Sequence, residues 1–145
     1  MFSRSIKNGT VIEKVNLIRA TLSEAFEMKD NLTEDMTDYN RIIVDLTSCD
    51  YVDGTFLGVL VYSYKKIKKN DGIIVLVIGD TFFSTSFIFK EIKSIFRVYP
   101  TINDALGEIK NTNEEINIDH FKCENDKKVP DKIVQLQLPH IPKYE

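Results

Sequence analysis

The chain has 145 residues and a net charge of −3 at pH 7, and 43% of its residues are hydrophobic. This length and composition predict one globular domain with a single core. The acidic balance argues against general nucleic-acid binding, because contacts to phosphate groups need a basic surface. No apolar run reaches the length that spans a bilayer, residues 1–9 lack the apolar segment of a secretory signal, and Cys49 and Cys123 are too few for a disulfide framework. We therefore expect a cytoplasmic protein without direct membrane insertion.

The first part of the chain predicts a strand, a helix and a second strand. Residues 11–20 mix β-branched and polar side chains, which favours a strand at a sheet edge. Thr21 and Glu24 have the spacing of a capping box. The helix that follows is expected to place one apolar stripe inward, formed by Leu22, Ala25, Phe26, Leu32 and Met36. The apolar run at residues 41–46 then predicts a strand covered on both faces.

The central part predicts a helix, a strand and a third helix. A helix is expected over residues 55–69, with an inward face formed by Leu57, Leu60, Val61, Tyr64 and Ile67. Asp71-Gly72 ends it, and residues 73–78 form another apolar strand. The helix expected over residues 81–93 carries phenylalanines on more than one face, so part of its surface should be exposed or covered by a partner.

A short strand at residues 97–99 and a last helix complete the alternation. Thr101 opens this helix, whose apolar positions are Ile102, Ala105, Leu106 and Ile109. Strands alternating with helices of this length predict a parallel-rich α/β sheet with helices packed against it. Residues 111–145 differ in character, with polar runs and three prolines. We therefore divide the chain into a domain at residues 1–110 and a C-terminal extension at 111–145.

The most informative segment lies between the second and third predicted strands. Asp53-Gly54-Thr55 stands at the mouth of a helix, where unsatisfied amides and the helix dipole favour an anion. Thr55 has three interpretations: an N-cap hydroxyl, a phosphate acceptor or an ordinary turn residue. Asp53 caps the helix or orients that hydroxyl for a kinase, and Gly54 serves a positive φ angle or the close approach of a partner. A phosphate here could be read by a partner, which favours a signalling surface.

Other groups predict no catalysis, no cofactor and no metal site. Asp45 has the position of a receiver-domain phospho-acceptor, but the first strand ends in Arg19-Ala20-Thr21 without the acidic pair that such a site needs, so we expect Asp45 to cap a turn. His120 and Cys123 lack a second ligand pair nearby. No glycine-rich phosphate loop and no Gly-x-Ser-x-Gly sequence occurs. Four lysines at the end of the second helix are explained as a solvated face: Lys65, Lys66, Lys68 and Lys69.

Two short sequences resemble the sulfate-transporter and anti-sigma-factor-antagonist (STAS) family. Asp45-Leu46-Thr47 resembles its strand end, Asp-Leu-Ser, and residues 53–58 resemble its Asp-Ser-Ser/Thr-Gly-Leu-Gly sequence at the start of a helix. The resemblance extends from about residue 10 to 110 and implies an α/β fold with a small mixed sheet of four to five strands and about four helices. Gly54 stands where the family has its phospho-acceptor, and Phe56 where it has its first glycine.

The resemblance also implies a function in bacterial regulation through protein–protein contacts. In the best-known members the domain binds a serine-kinase anti-sigma factor and frees a sigma factor, and phosphorylation breaks that complex. We accordingly expect a partner-binding surface at Asp53, Gly54, Thr55 and Phe56, with phosphorylation impaired or absent and Thr55 as the acceptor if any occurs. Phe56 either packs inward or presents an aromatic anchor. Two alternatives are a subunit docking on the ATPase of a membrane transport complex and a scaffold module.

Overall fold

The computed structural model describes residues 1–79 and 87–114, and the side chains of 1–79 and 88–110. Strands and helices alternate through most of this part of the chain: β1 Phe2–Lys7, β2 Thr10–Val15, β3 Arg19–Ala20, α1 Leu22–Asp38, β4 Arg41–Asp45, β5 Tyr51–Val52, α2 Gly54–Lys68, β6 Ile73–Val77, α3 Phe87–Ile95, β7 Val98–Tyr99 and α4 Ile102–Glu114. None of the helices in these ranges is long and apolar enough to cross a bilayer.

Within the described residues, the main sheet has five strands in the order β1-β2-β4-β6-β7. β1 pairs antiparallel with β2, and each of the other neighbouring pairs is parallel. The sheet is therefore mixed, as expected, because one hairpin extends a parallel core. A second, two-stranded sheet joins β3 to β5 in parallel.

The helices cover the two faces of the main sheet unequally. Buried side chains of α1, α2 and α3 share one hydrophobic cluster with alternate strand residues such as Ile42 and Val44. On the opposite face Ala105 and Ile109 of α4 pack with a second cluster that includes Ile43. Because successive strand residues point to opposite faces, β4 is buried on both sides. The prediction of a strand covered on both faces is confirmed.

Strand β1 was not predicted, and it corrects the expectation that residues 11–20 form an edge strand. β1 occupies the edge, while β2 lies inside the sheet between β1 and β4. Asn8 and Gly9 form the two-residue turn between them, with φ angles of 53° and 76°. Asn-Gly favours this hairpin turn because both residues tolerate positive φ. Residues 19–20 leave the main sheet and pair with β5 instead.

Helix α1 begins as predicted but buries a different stripe. Thr21 is its N-cap and forms the capping box with Glu24. The buried positions are Ala25, Met28, Leu32 and Asp35. Leu22 is 46% exposed and Phe26 is 44% exposed, so the expected inward placement of these two residues is wrong. The helix is rotated so that the row including Met28, Leu32 and Asp35 faces inward, and this row includes a charged residue, so it differs from the purely apolar stripe that was expected.

The remaining elements agree with their predicted positions over the described residues. The expected inward face of α2 is buried, and the amide of Gly72 donates to the Ile67 carbonyl at 2.9 Å where the helix ends. The Thr101 hydroxyl accepts a hydrogen bond from the amide of Asp104 in α4. That helix continues to Glu114, past the boundary predicted at residue 110. The expected features at residues 81–86, His120, Cys123 and the remainder of the extension from 115 onward lie outside the described residues.

Candidate functional site

Asp45 ends the central strand β4 and shapes the connection that leads to the site. Its side chain is buried, and its Oδ1 accepts hydrogen bonds from the amide of Thr47 at 2.9 Å and from the Thr47 hydroxyl at 2.7 Å. These two bonds close a turn at the strand end. The structure thus gives Asp45 the turn-capping position that the sequence predicted.

The small sheet of β3 and β5 brings the starts of two helices together. Arg19 pairs with Tyr51 and Ala20 with Val52, in parallel, and the amide of Asp53 donates to the Ala20 carbonyl at 3.0 Å. Since β3 leads directly into α1 and β5 directly into α2, both helices begin at the same end of this sheet. Two helix N-termini, each with unsatisfied amides, therefore lie side by side.

Asp53 bridges these two N-termini with one carboxylate. Its Oδ1 accepts the amide of Phe56 at 2.8 Å and so caps α2, while its Oδ2 accepts the amide of Leu22 at 2.9 Å in the first turn of α1. Of the two interpretations of Asp53, the structure shows the cap. The bond to α1 was not predicted, because nothing local in the sequence connects residues 31 positions apart.

Gly54 is the first residue of α2 and is exposed. Its φ angle lies outside the left-handed range, so a positive φ angle, one of the two roles that we considered, does not explain this glycine. A Cβ atom added at Gly54 would meet nothing within 4 Å. Position 54, where the family resemblance implies the phospho-acceptor, is therefore sterically open but has no side chain to carry a hydroxyl.

Thr55 is the second residue of α2 and is half-buried. Because Asp53 is the N-cap, the N-cap interpretation of Thr55 is wrong. A phosphate on Thr55 would gain from the helix dipole, but it would follow closely after Asp53, whose carboxylate already accepts the amide of Phe56 at this end of α2. The helix start that was predicted to favour an anion thus already holds the Asp53 carboxylate.

Phe56 is fully buried in the core on the side of α1 and α2. Of its two interpretations, inward packing is the one that the structure shows, and the alternative of an exposed aromatic anchor does not apply to this conformation. The side chain of Phe56 therefore cannot contact a partner directly. Partner binding by Asp53, Gly54 and Thr55 stays a prediction.

The other reactive groups near the site are shielded. Cys49 is 1% exposed, and burial raises the pKa of its thiol to about 12. It is therefore a protonated, poor nucleophile at neutral pH. Ser63, a further hydroxyl of α2, is fully buried. Over the described residues, no three His, Cys, Asp or Glu side chains lie together in a way that could hold a metal ion.

Known proteins share this architecture. A family model described as the STAS domain matches residues 3–105. A Thermotoga maritima protein, to which the role of anti-sigma factor antagonist has been assigned, is 25% identical over 114 residues, which cover 76% of this chain and 98% of the relative. A crystal structure of a Thermotoga maritima protein with the same assignment has a TM-score of 0.65 at 24% identity, covering 75% of this chain and 94% of the other.

Two further solved structures show how widely the fold occurs. The unphosphorylated anti-sigma factor antagonist SpoIIAA superposes with a TM-score of 0.62 at 10% identity, covering 76% of this chain and 98% of the other. The murine anion transporter Slc26a9 gives a TM-score of 0.54 at 16% identity, covering 71% of this chain and 18% of the transporter. The strand order, the helix start at Gly54 and the family match over residues 3–105 agree with one another, and the chain belongs to the STAS domain family.

Proposed function

We propose that this chain is a non-enzymatic regulatory module of the bacterial cytoplasm that binds a serine-kinase anti-sigma factor. The observation that carries the proposal is the pairing of two helix N-termini around Asp53, with exposed Gly54 at the first position of α2. Relatives that match nearly their whole length to this chain are assigned as anti-sigma factor antagonists. The contact surface comprises Asp53, Gly54 and the exposed part of Thr55.

The proposal includes an impaired phosphorylation switch. A kinase that transfers phosphate to the first residue of this helix finds no hydroxyl at Gly54. Thr55 has a hydroxyl, but this residue is half-buried and lies one position further along α2. It also lies close to Asp53, whose carboxylate caps the helix. Transfer to Thr55 would place about two negative charges beside Asp53, which costs free energy by like-charge repulsion. The module therefore stays in its partner-binding state when ATP is present.

The test uses the full chain, the variant Gly54→Ser and each serine-kinase anti-sigma factor encoded in the same genome. Because a Cβ at this position meets nothing within 4 Å, the serine should be accommodated without displacing a neighbour. We expect the wild type to bind the kinase equally with and without ATP. Gly54→Ser should bind without ATP, gain one phosphate with ATP, and then be released. Mass spectrometry locates the phosphate, and a binding titration measures release.

A matched control separates the hydroxyl at position 54 from its neighbour. Gly54→Ser combined with Thr55→Ala should still be phosphorylated and released, whereas Thr55→Ala alone should behave as the wild type. Failure of every kinase to bind the wild type would refute the proposed partner. Efficient phosphorylation of the wild type, on Thr55 or Ser48, would refute the impaired switch.

A second candidate function is that of a subunit in a membrane transport complex. The similarity to 18% of the chain of the murine anion transporter Slc26a9 supports this alternative. In this role the same surface would dock on an ATPase and phosphorylation would have no part. Purification of the chain from its source under mild conditions distinguishes the two, since a co-purified transport ATPase supports docking and a co-purified serine kinase supports the switch.

A further inference from the structure

A buried pair of carboxyl groups lies between the β1–β2 hairpin and helix α1. Glu13 of β2 is 1% exposed and Asp35 of α1 is 2% exposed. Arg4 of β1 stands opposite Glu13 in the antiparallel register, and its Nε donates to Oδ1 of Asp35 at 2.7 Å. Asp35 is 13 residues along α1 from Leu22, about 20 Å from the candidate partner surface.

The hydrogen bonds of this cluster balance only if one carboxyl group keeps its proton. Oδ1 of Asp35 has the Arg4 guanidinium, but Oδ2 is buried and has no donor among the described groups. Arg4 stands opposite Glu13 in the strand register and also bonds Asp35, so the two buried carboxyl groups lie beside the same guanidinium. A carboxylate can only accept, whereas a protonated carboxyl can donate. A protonated Glu13 would supply the donor that Asp35 lacks.

The surrounding charges favour the same assignment. Asp35 and Glu34, both on α1, add negative potential at Glu13, and the partly exposed guanidinium of Arg4 is the one cation that opposes it among the interactions resolved there. The ring of Tyr39, at the C-cap of α1, lies 5.8 Å from that guanidinium. On β4 the residue in register with Glu13 is apolar Val44. Two ionised carboxylates would thus share a single, half-solvated cation inside the protein, which is costly.

We propose that Glu13 and Asp35 share one proton and form a pH-sensitive latch, which holds the β1–β2 hairpin against α1 and weakens when that proton is lost. The pairing is independent of the proposed partner function, since it uses neither Asp53 nor Gly54. Burial, and then the hydrogen bond to Asp35, raise the pKa of Glu13 from its ordinary value of 4.5 to about 8.

The sign of the resulting pH dependence follows from this shift. Between pH 4.5 and about 8 the folded protein holds a proton on Glu13 that the unfolded chain releases. Stability from the latch is therefore fully present below pH 4.5, declines as the pH rises, and is lost once the pH passes about 8. This is opposite to the usual behaviour of a salt-bridged carboxylate, whose contribution is lost in acid.

The first test compares the wild type with Glu13→Gln by denaturant unfolding from pH 5 to pH 9. Glutamine keeps the shape and can donate to Asp35, but it cannot ionise. We expect the wild-type midpoint to fall with rising pH and the Glu13→Gln midpoint to fall much less. Glu27→Gln removes an exposed carboxylate of α1, the helix that contains Asp35, and its unfolding midpoint should change with pH as that of the wild type does. Equal losses in all three proteins would overturn the latch.

A direct readout keeps the proposal testable if the variant folds poorly. The carboxyl ¹³C resonance of Glu13 in the full-length wild type should titrate near pH 8, and a midpoint near pH 4.5 would refute the shared proton. Hydrogen exchange locates the effect. Relative to Glu13→Gln at the same pH, wild-type β1 amides should lose protection above pH 8 while α4 amides should not. Uniform loss over both elements would show that no local latch exists.

Discussion

Asp53 is the residue on which the geometry of the candidate site depends most. Each helix begins with amides that have no partner within the helix, and a side-chain oxygen usually caps one helix only. Here the two oxygens of one carboxylate take amides from two helices, at 2.8 and 2.9 Å. The starts of α1 and α2 are consequently held in one fixed relation. The shape of the surface around Gly54, where a partner is proposed to bind, therefore depends on Asp53.

Replacement of Asp53 by alanine should destabilise the protein more than loss of an ordinary cap. An N-cap substitution costs about 0.5–2 kcal/mol, and we expect a value of about 2 kcal/mol because two amides lose their acceptor. Denaturant unfolding at pH 7 measures the change in free energy. Asp50→Ala, at an exposed neighbouring position, is the control and should stay within about 0.5 kcal/mol of the wild type. Similar losses in both variants would argue against the bridging role.

At the scale of elements, the turns decide how the strands pair. Asn8-Gly9 closes a two-residue hairpin, and this hairpin moves β2 from the edge of the sheet into its interior. At the end of α2 Asp71 takes a left-handed conformation with φ of 60°, and Gly72 follows against the backbone of Asn40. The helix can then pass directly into β6, whose first residue donates its amide to the Asn40 carbonyl at 2.8 Å.

Gly72→Ala should therefore be destabilising for steric reasons. A Cβ atom at this position would lie 2.7 Å from the Asn40 carbonyl oxygen and 2.5 Å from a side-chain carbon of Ile67, so backbone and core must shift. Overpacking of this kind costs about 1–3 kcal/mol. Gly107→Ala is the matched control, because its Cβ meets nothing within 4 Å and alanine favours a helix by about 1 kcal/mol. A thermal unfolding curve for each variant measures the contrast, and a neutral Gly72→Ala would contradict the predicted clash.

At the scale of the whole molecule, α1, α2 and α3 cover one face of the main sheet and α4 covers the other, and among the described residues two separate apolar clusters lie beneath them. The larger cluster contains Phe56 and Cys49 and lies directly beneath the candidate site. Access to Cys49 therefore requires opening of the core on which that site rests. Its reactivity therefore reports on whether the core beneath the candidate site stays closed.

Alkylation of Cys49 should be slow in the folded protein and fast in denaturant. The thiol is 1% exposed and its pKa is raised to about 12. At pH 8 the reagent therefore cannot reach the sulfur, and the sulfur is not ionised to the reactive thiolate. In a Cys123→Ser background, iodoacetamide should react at least about 10³-fold faster in urea, given the usual rarity of unfolded molecules. Mass spectrometry over time measures both rates. Rapid alkylation without denaturant would show that the core beneath the site opens locally.

Local sequence determined most of the elements and the position of the candidate site. Apolar runs, the capping box at Thr21 and the Asp53 cap each depend on residues within one helical turn or one strand, so their spacing is visible in the chain. Asn8-Gly9 is an equally local signal, and it accounts for the β1–β2 hairpin that was not predicted. The family resemblance at residues 45–47 and 53–58 predicts the fold without any knowledge of tertiary contacts. The family match over residues 3–105 confirms that resemblance.

Contacts between distant residues were decided only by the tertiary structure. The bridge from Asp53 to Leu22 joins residues 31 positions apart, and Arg4 reaches Asp35 across the same separation. Neither hydrogen bond could be predicted from hydrophobic periodicity, because a polar residue in a strand or helix is assigned to the solvent face unless its partner is known. Inward packing of Phe56 and exposure of Leu22 and Phe26 depend in the same way on how α1 and α2 rotate against the sheet. Sequence specified which residues form each element, whereas packing specified which face of each element meets water.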